Sequence, residues 1–130
     1  MSVFSDGEIE YLGGQRLGRL ATVGQDGMPH VVPVAFRYNP EADTIDIGGH
    51  SFADRKKFRD VQRTGVAALV VDDVLPPWQP RAVEVRGSAV TLEVGGKGIR
   101  EEFDDPIIRI TPRRIVSWGL EAGFQARSVG

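Results

Sequence analysis

The feature that most constrains this chain is its punctuation. Glycine occurs 16 times and proline 8 times in 130 residues, mostly between short apolar or alternating runs. Both residues interrupt regular structure and mark turns. The chain therefore reads as many short strands joined by tight connections, in a single domain spanning residues 1–130. A chain of this size built mostly from strands has a modest core.

Ser5 or Asp6 starts a short first helix, with Glu8 in its first turn and Ile9, Tyr11 and Leu12 on its apolar side. Leu17–Val23 alternates as a strand. The Asp26-Gly27 pair then signals a hairpin into a long strand over Met28–Tyr38. Pro33 within that strand implies an edge, a bulge, or something other than a strand alongside. Thr44–Ile47 is a short strand closed by Gly48-Gly49. Ser51–Asp54 has the spacing of a capping box and predicts a helix from Phe52 to Arg63, with Phe58 and Val61 inward. Val66–Val71 reads as a central strand, Asp72–Pro80 as a proline-rich loop, and Ala82–Glu93 as the longest strand. Ile99–Phe103 is expected to form one helical turn. A last strand, Ile107–Ile110 and Arg114–Trp118, is interrupted near Pro112. The tail after Leu120 is expected to be poorly ordered or packed on a partner. About six antiparallel strands in one small sheet point to a closed or split barrel, which removes exposed edges.

Composition excludes several function classes. Lys and Arg number 16 against 18 for Asp and Glu, a net charge of -2, so nucleic-acid binding through bulk positive charge is excluded. Without cysteine there is no disulfide, thiolate zinc site or Cys nucleophile. No apolar run is long enough to cross a membrane as a helix, and the first residues lack the pattern of a signal peptide, so a cytoplasmic location is the expectation.

Side-chain catalysis has little to work with, because His30 and His50 are the only histidines and form no zinc signature. Acidic pairs such as Asp72-Asp73 and Glu101-Glu102 read as solvated surface. An enzyme of this composition leaves the hard chemistry to a bound cofactor. The best local signal for one is Gly48-Gly49-His50-Ser51 followed by Arg55, Lys56, Lys57 and Arg59. Two glycines allow close approach to the backbone, a helix N-terminus attracts an anion, and basic side chains follow at once. The alternative is a merely solvated basic helix face. Trp78, in a proline-rich loop beside Gln79 and Arg81, is a candidate for interface or ligand stacking. Trp118 reads as packing, and His30 as a satisfied strand histidine.

The order of these pieces resembles the pyridoxamine 5'-phosphate oxidase-like family, from about Gly7 to Leu120. Arg19–Val23 with Asp26–Val34 resembles the family's opening hairpin, and Ile45–Gly49 its third strand. Arg55-Lys56-Lys57-Phe58-Arg59-Asp60-Val61 resembles its basic helix. Arg81–Gly87 resembles the fifth strand and Arg113–Gly119 the closing one. Asp60 stands where the family often has Asn, and the bulky Phe58 is a further departure. The small size and Ser117-Trp118-Gly119-Leu120 are most similar to the F420-dependent actinobacterial branch, which includes reductases of the kind used in tetracycline biosynthesis. The substrate-phosphate residues of true pyridoxamine phosphate oxidases are not found.

That resemblance implies a mainly β fold, a six-stranded antiparallel split β-barrel of the FMN-binding type, working as a homodimer. It implies F420 as cofactor, with FMN the alternative, and hydride transfer to an unsaturated small-molecule substrate. A non-catalytic flavin-, F420- or haem-binding protein is the remaining reading. The residues it places at the cofactor are Val32, Pro33 and Val34 along the ring, Gly48, Gly49 and His50 lining the pocket, and Lys56 and Lys57 at the phosphate. Trp78, Gln79 and Arg81 would reach the site from the second subunit. His50, Tyr38, Arg81 or solvent would donate a proton. Neither nucleic acid nor membrane is an expected partner.

Overall fold

The computed structural model describes residues 1–130. Helix α1 (Asp6–Gly13) opens on a full capping box. The Ser5 hydroxyl accepts from the Glu8 amide, and the Glu8 carboxylate accepts from the Ser5 amide at 2.9 Å. The strands are β1 (Leu17–Val23), β2 (Pro29–Asn39), β3 (Thr44–Gly48), β4 (Val66–Leu75), β5 (Gln79–Leu92), β6 (Ile107–Trp118) and β7 (Gln125–Ser128). Helix α2 (Lys56–Thr64) lies between β3 and β4.

The sheet runs β3-β2-β1-β4-β5-β6-β7, and β3 also pairs with β6, so β1 to β6 close into an antiparallel barrel. Alternation along the strands sends every second side chain inside. Leu20, Ile45, Ile47, Leu69, Val83, Val85, Ile108, Ile110 and Ile115 fill the interior with no more than 1% exposure, so the core is small but fully desolvated. Closure rests on a short contact in which Ile45, Asp46 and Ile47 pair with Ile110, Arg109 and Ile108. The buried Asp46 carboxylate accepts two bonds from Arg109, at 2.9 and 3.0 Å, and others from Asn39 and Thr44.

The structure corrects several expectations. The tail after Leu120 is ordered: it turns back as β7 and pairs with Arg114–Ser117 of β6. Arg127 anchors it by donating to the fully buried Glu8, at 2.7 and 3.1 Å, and to the Val3 carbonyl. The loop expected over Asp72–Pro80 shrinks to Pro76–Trp78, because β4 and β5 keep pairing outward to Leu75 and Gln79. The last strand is unbroken. Pro112 is accommodated by a bulge, since Gly87 faces Pro112 while Arg86 faces Arg114 and Arg113 is the extra residue. A Cβ on Gly87 would run into the Thr111 carbonyl, so only glycine fits. The Phe52–Arg63 helix is split: Phe52–Asp54 form one 3-10 turn, Arg55 is extended, and α2 begins at Lys56. The predicted capping box does not form, because Ser51 sits at φ 49 and its side chain makes no cap bond. Between β5 and β6 the 3-10 turn falls at Gly96–Gly98, ahead of the expected Ile99–Phe103.

Burial alone would raise the Glu8 pKa, but hydrogen bonds from Arg127, Ser117 and the Ser5 amide, with the Arg127 charge, hold it below its ordinary value. The same balance lowers Asp46 and Asp60. A depressed carboxylate pKa adds stability above the unfolded-state value, about 4, and that stability drains as pH falls through the folded value. Urea unfolding should therefore show stability dropping below about pH 4. Glu8→Gln should lower it by about 2–3 kcal/mol at neutral pH and shallow the acid slope; an unchanged slope would show that Glu8 is not among the titrating groups. Gly87→Ala should cost about 3 kcal/mol in the same measurement.

Candidate functional site

Three segments meet at one end of the barrel. The strand end Gly48-Gly49 leads into the turn at His50-Ser51. The middle of β2 supplies Pro33, Val34 and Ala35. The connection between β5 and β6 brings Phe103 across. Together with Phe52, Arg55 and Lys57 they line an open hollow of about 280 Å³. The connection is held by the Asp104 amide donating to the Gly49 carbonyl at 3.1 Å and the Phe52 amide donating to the Asp104 carboxylate at 3.2 Å.

The glycines serve this packing. A Cβ on Gly48 would meet Ile99 at 3.0 Å and Phe103 at 3.4 Å, and one on Gly49 would meet Phe52 at 3.3 Å. They let the connection close against the strand end, and they leave backbone on the hollow's wall. The His50 ring stands edge-on to Phe103, with centroids 5.4 Å apart, at the mouth.

The electrostatics single out Lys57. Its ammonium lies 5.4 Å over the Phe52 ring and has neither a hydrogen-bond acceptor nor a carboxylate partner. Burial lowers its pKa, and the neighbouring Arg55 charge lowers it further. A half-desolvated cation beside a second cation is relieved by an anion. Arg55 turns its guanidinium onto the His50 carbonyl at 3.3 Å, and α2 starts here with no side chain capping its first amides. The donor set fits a phosphate: an ammonium, a guanidinium and free helix amides.

The structure thus brings together Pro33, Val34, Gly48, Gly49, His50 and Lys57. Val32 is half-buried on the inward face of β2 against the core. Lys56 points the other way and donates to the Asp60 carboxylate at 2.8 Å; Asp60 also takes Thr22 and Arg63. Asp60 is a buried structural anchor, which accounts for an acid at that point of the helix. Trp78 is 76% exposed at the tip of the β4–β5 hairpin, with Gln79 beside it. Arg81 makes a two-pronged pair with Asp73 at 3.0 and 2.6 Å and covers the Tyr11 ring. None of these three lines the hollow of its own chain. Tyr38 donates to Asp43 at 2.7 Å, outside the hollow, so His50 alone among the named proton donors stands there. His30 is not a satisfied strand histidine: its Nδ1 is buried without a partner. Sequence reasoning counted Arg55 in the basic run without assigning it to the cofactor, and it left Ala35, Phe52 and Phe103 off the site. Arg55 was visible in the basic run, whereas Phe103 arrives from a distant connection that carries no local signal. No group of His, Asp and Glu is arranged to hold a metal ion.

A closed antiparallel barrel of six strands, here with an anion-ready hollow at the end of its third strand, is a split β-barrel. Residues 7–119 match the pyridoxamine 5'-phosphate oxidase family, and the chain belongs to that family. It is 46% identical over 132 residues to the 5a,11a-dehydrotetracycline/5a,11a-dehydrooxytetracycline reductase of Streptomyces rimosus, a match covering 97% of this chain and 93% of the relative. The fold is also that of a conserved hypothetical protein of Mycobacterium tuberculosis, with TM-score 0.71, 22% identity, and coverage of 99% of this chain and 94% of the other. An FAD binding protein of Mycobacterium smegmatis superposes with TM-score 0.66 and 22% identity over 90% of this chain and 96% of its own. These matches support an oxidoreductase of the family. No helix is long and apolar enough to cross a membrane.

If Lys57 holds a phosphate, Lys57→Ala should weaken binding of whichever cofactor the chain takes, F420 or FMN, by about 1.5–3 kcal/mol without lowering the melting temperature. Binding to the unaltered chain should fall as pH rises toward, but still below, the ordinary lysine value of 10.5. Fluorescence titration across pH measures both, and equal affinities would remove Lys57 from the site.

Proposed function

We propose that the chain is an F420-dependent reductase acting on an unsaturated organic substrate. The observation that carries this reading is the unpartnered, half-buried Lys57 ammonium at the rim of a backbone-lined hollow. It is supported by the 46% identity to a reductase of dehydrotetracyclines, which are conjugated polycyclic substrates. The reduced deazaflavin supplies the hydride when bound, so no protein nucleophile is required.

The chain's own residues bind, orient and shield. Lys57, Arg55 and the first amides of α2 would hold the cofactor's phosphate. Pro33, Val34, Ala35 and Phe103 would offer apolar and backbone surface to the rest of it. Gly48 and Gly49 keep that wall free of side chains. This wall would exclude water from one side of the bound group, and holding that group in place would supply orientation. His50 stands at the mouth, where it can hold a proton for the reduced product. Two copies form the working unit. One barrel encloses about 280 Å³ on an open face, at or below the lower end of the about 300–1,000 Å³ of ordinary ligand sites. Trp78, Gln79 and Arg81, which touch nothing at their own hollow, are the residues a second copy would bring to it.

FMN is the second reading, favoured by the flavin-binding neighbour of the same fold. Titration of the purified protein with F420, FMN and haem separates the readings. Expected is tight F420 binding and oxidation of its reduced form by a conjugated enone of the tetracycline type. Tight FMN binding with no response to F420 would reject the F420 assignment. F420 binding without turnover on any enone or quinone would leave a binding protein.

A further inference from the structure

Lysine is scarce in this chain, at positions 56, 57 and 97 alone, and the three differ in what their amines do. Lys56 donates to the Asp60 carboxylate at 2.8 Å, and Lys97 donates to the Phe103 carbonyl at 2.9 Å. Lys57 has no acceptor: its amine stands 5.4 Å over the Phe52 ring. It lines the open hollow together with Arg55, His50 and Gly49. An amine acts as a nucleophile only through a free lone pair, and desolvation or a neighbouring cation favours that form. Both act on Lys57, because burial and the Arg55 charge each lower its pKa. The nitrogens of Lys56 and Lys97 are committed to their acceptors.

Beside this amine lies a seat for an anion. The Arg55 guanidinium is steadied on the His50 carbonyl at 3.3 Å, and no side chain caps the first amides of α2. A guanidinium and free helix amides suit a phosphate. A nucleophile next to a phosphate seat fits a ligand that carries both a phosphate and an electrophilic carbon. The hollow, at about 280 Å³, has room for a compound of a few carbons.

We propose that Lys57 forms an imine with small phosphorylated aldehydes, and that this adduct and the cofactor exclude one another from the hollow. The Nζ lone pair attacks the carbonyl carbon and gives a carbinolamine. The two protons of the amine then leave with the carbonyl oxygen as water, and the C=N bond forms. Nothing is oxidised or reduced, and added water reverses the step. His50, on the same hollow, is the group placed to hand a proton to the departing hydroxyl. Imine formation stands apart from the cofactor reading, and only the mutual exclusion rests on it.

The test is to incubate the purified chain with glyceraldehyde 3-phosphate or with glyceraldehyde, fix any imine with cyanoborohydride, and read each lysine by peptide mass spectrometry. Expected is labelling of Lys57 about tenfold faster than of Lys56 or Lys97, and about tenfold faster with the phosphorylated aldehyde than with the neutral one. Inorganic phosphate should slow the reaction at Lys57. Lys57→Arg, which keeps the charge, should leave only the slow labelling of the other two, with circular dichroism checking its fold. Equal rates at the three lysines overturn the proposal. Equal rates at Lys57 with the two aldehydes overturn the phosphate seat. Bound F420 or FMN should protect Lys57, and the labelled chain should bind neither. Selective labelling that a bound cofactor does not slow supports the imine and overturns the mutual exclusion. Selective labelling in a chain that binds neither cofactor supports the imine and rejects the cofactor reading.

Discussion

Everything in this molecule depends on a three-residue contact. Ile45, Asp46 and Ile47 pair with Ile110, Arg109 and Ile108 and turn a meandering sheet into a barrel. Two of those positions seal the core with isoleucines, and the third joins the strands through a buried carboxylate and a guanidinium. A buried pair contributes little net stability by itself, but removing one partner leaves an uncompensated charge. The pair therefore serves register. A one-residue slip would turn the isoleucines outward and part Asp46 from Arg109.

The same closure builds the hollow. Because β3 ends against β6, its terminal glycines meet the connection that precedes β6, and Phe103 and Asp104 are brought to the start of the 3-10 turn. Helix α2 then divides its charge. Asp60 takes up Lys56 and Arg63 on one side, and Lys57 is left on the other with only an aromatic face. Adjacent lysines thus have opposite roles because helical geometry turns them about 100° apart.

Much of this was legible in the chain. Alternation located β1, β3 and β5, the Asp26-Gly27 turn β2 and a continuous apolar run β4, and Ser5 with Glu8 announced α1, because those signals act over a few residues. The basic run after Gly48-Gly49 marked the hollow. What escaped had non-local causes. The β7 strand has no apolar pattern; it exists because Arg127 reaches Glu8 across the length of the chain. Pro112 looked like a break because the glycine that tolerates it lies on another strand. Lys56 could not be told from Lys57 until Asp60 was placed. Phe103 joined the hollow through tertiary packing alone.

The filled space behind Gly48 and Gly49 bears on how such a barrel could change its ligand. Ile99, Phe103 and Phe52 stand within 3.0 to 3.4 Å of where side chains there would begin. The strand end is therefore a tight wall, which takes a side chain only where those neighbours give way. Diversification toward a different ring or substrate meets less resistance in the opposite quarter: Pro33 and Ala35 on β2, the ring of Phe103, or whatever lies across the open side. A directed-evolution library confined to those positions would explore the site without first having to repack Ile99, Phe103 and Phe52.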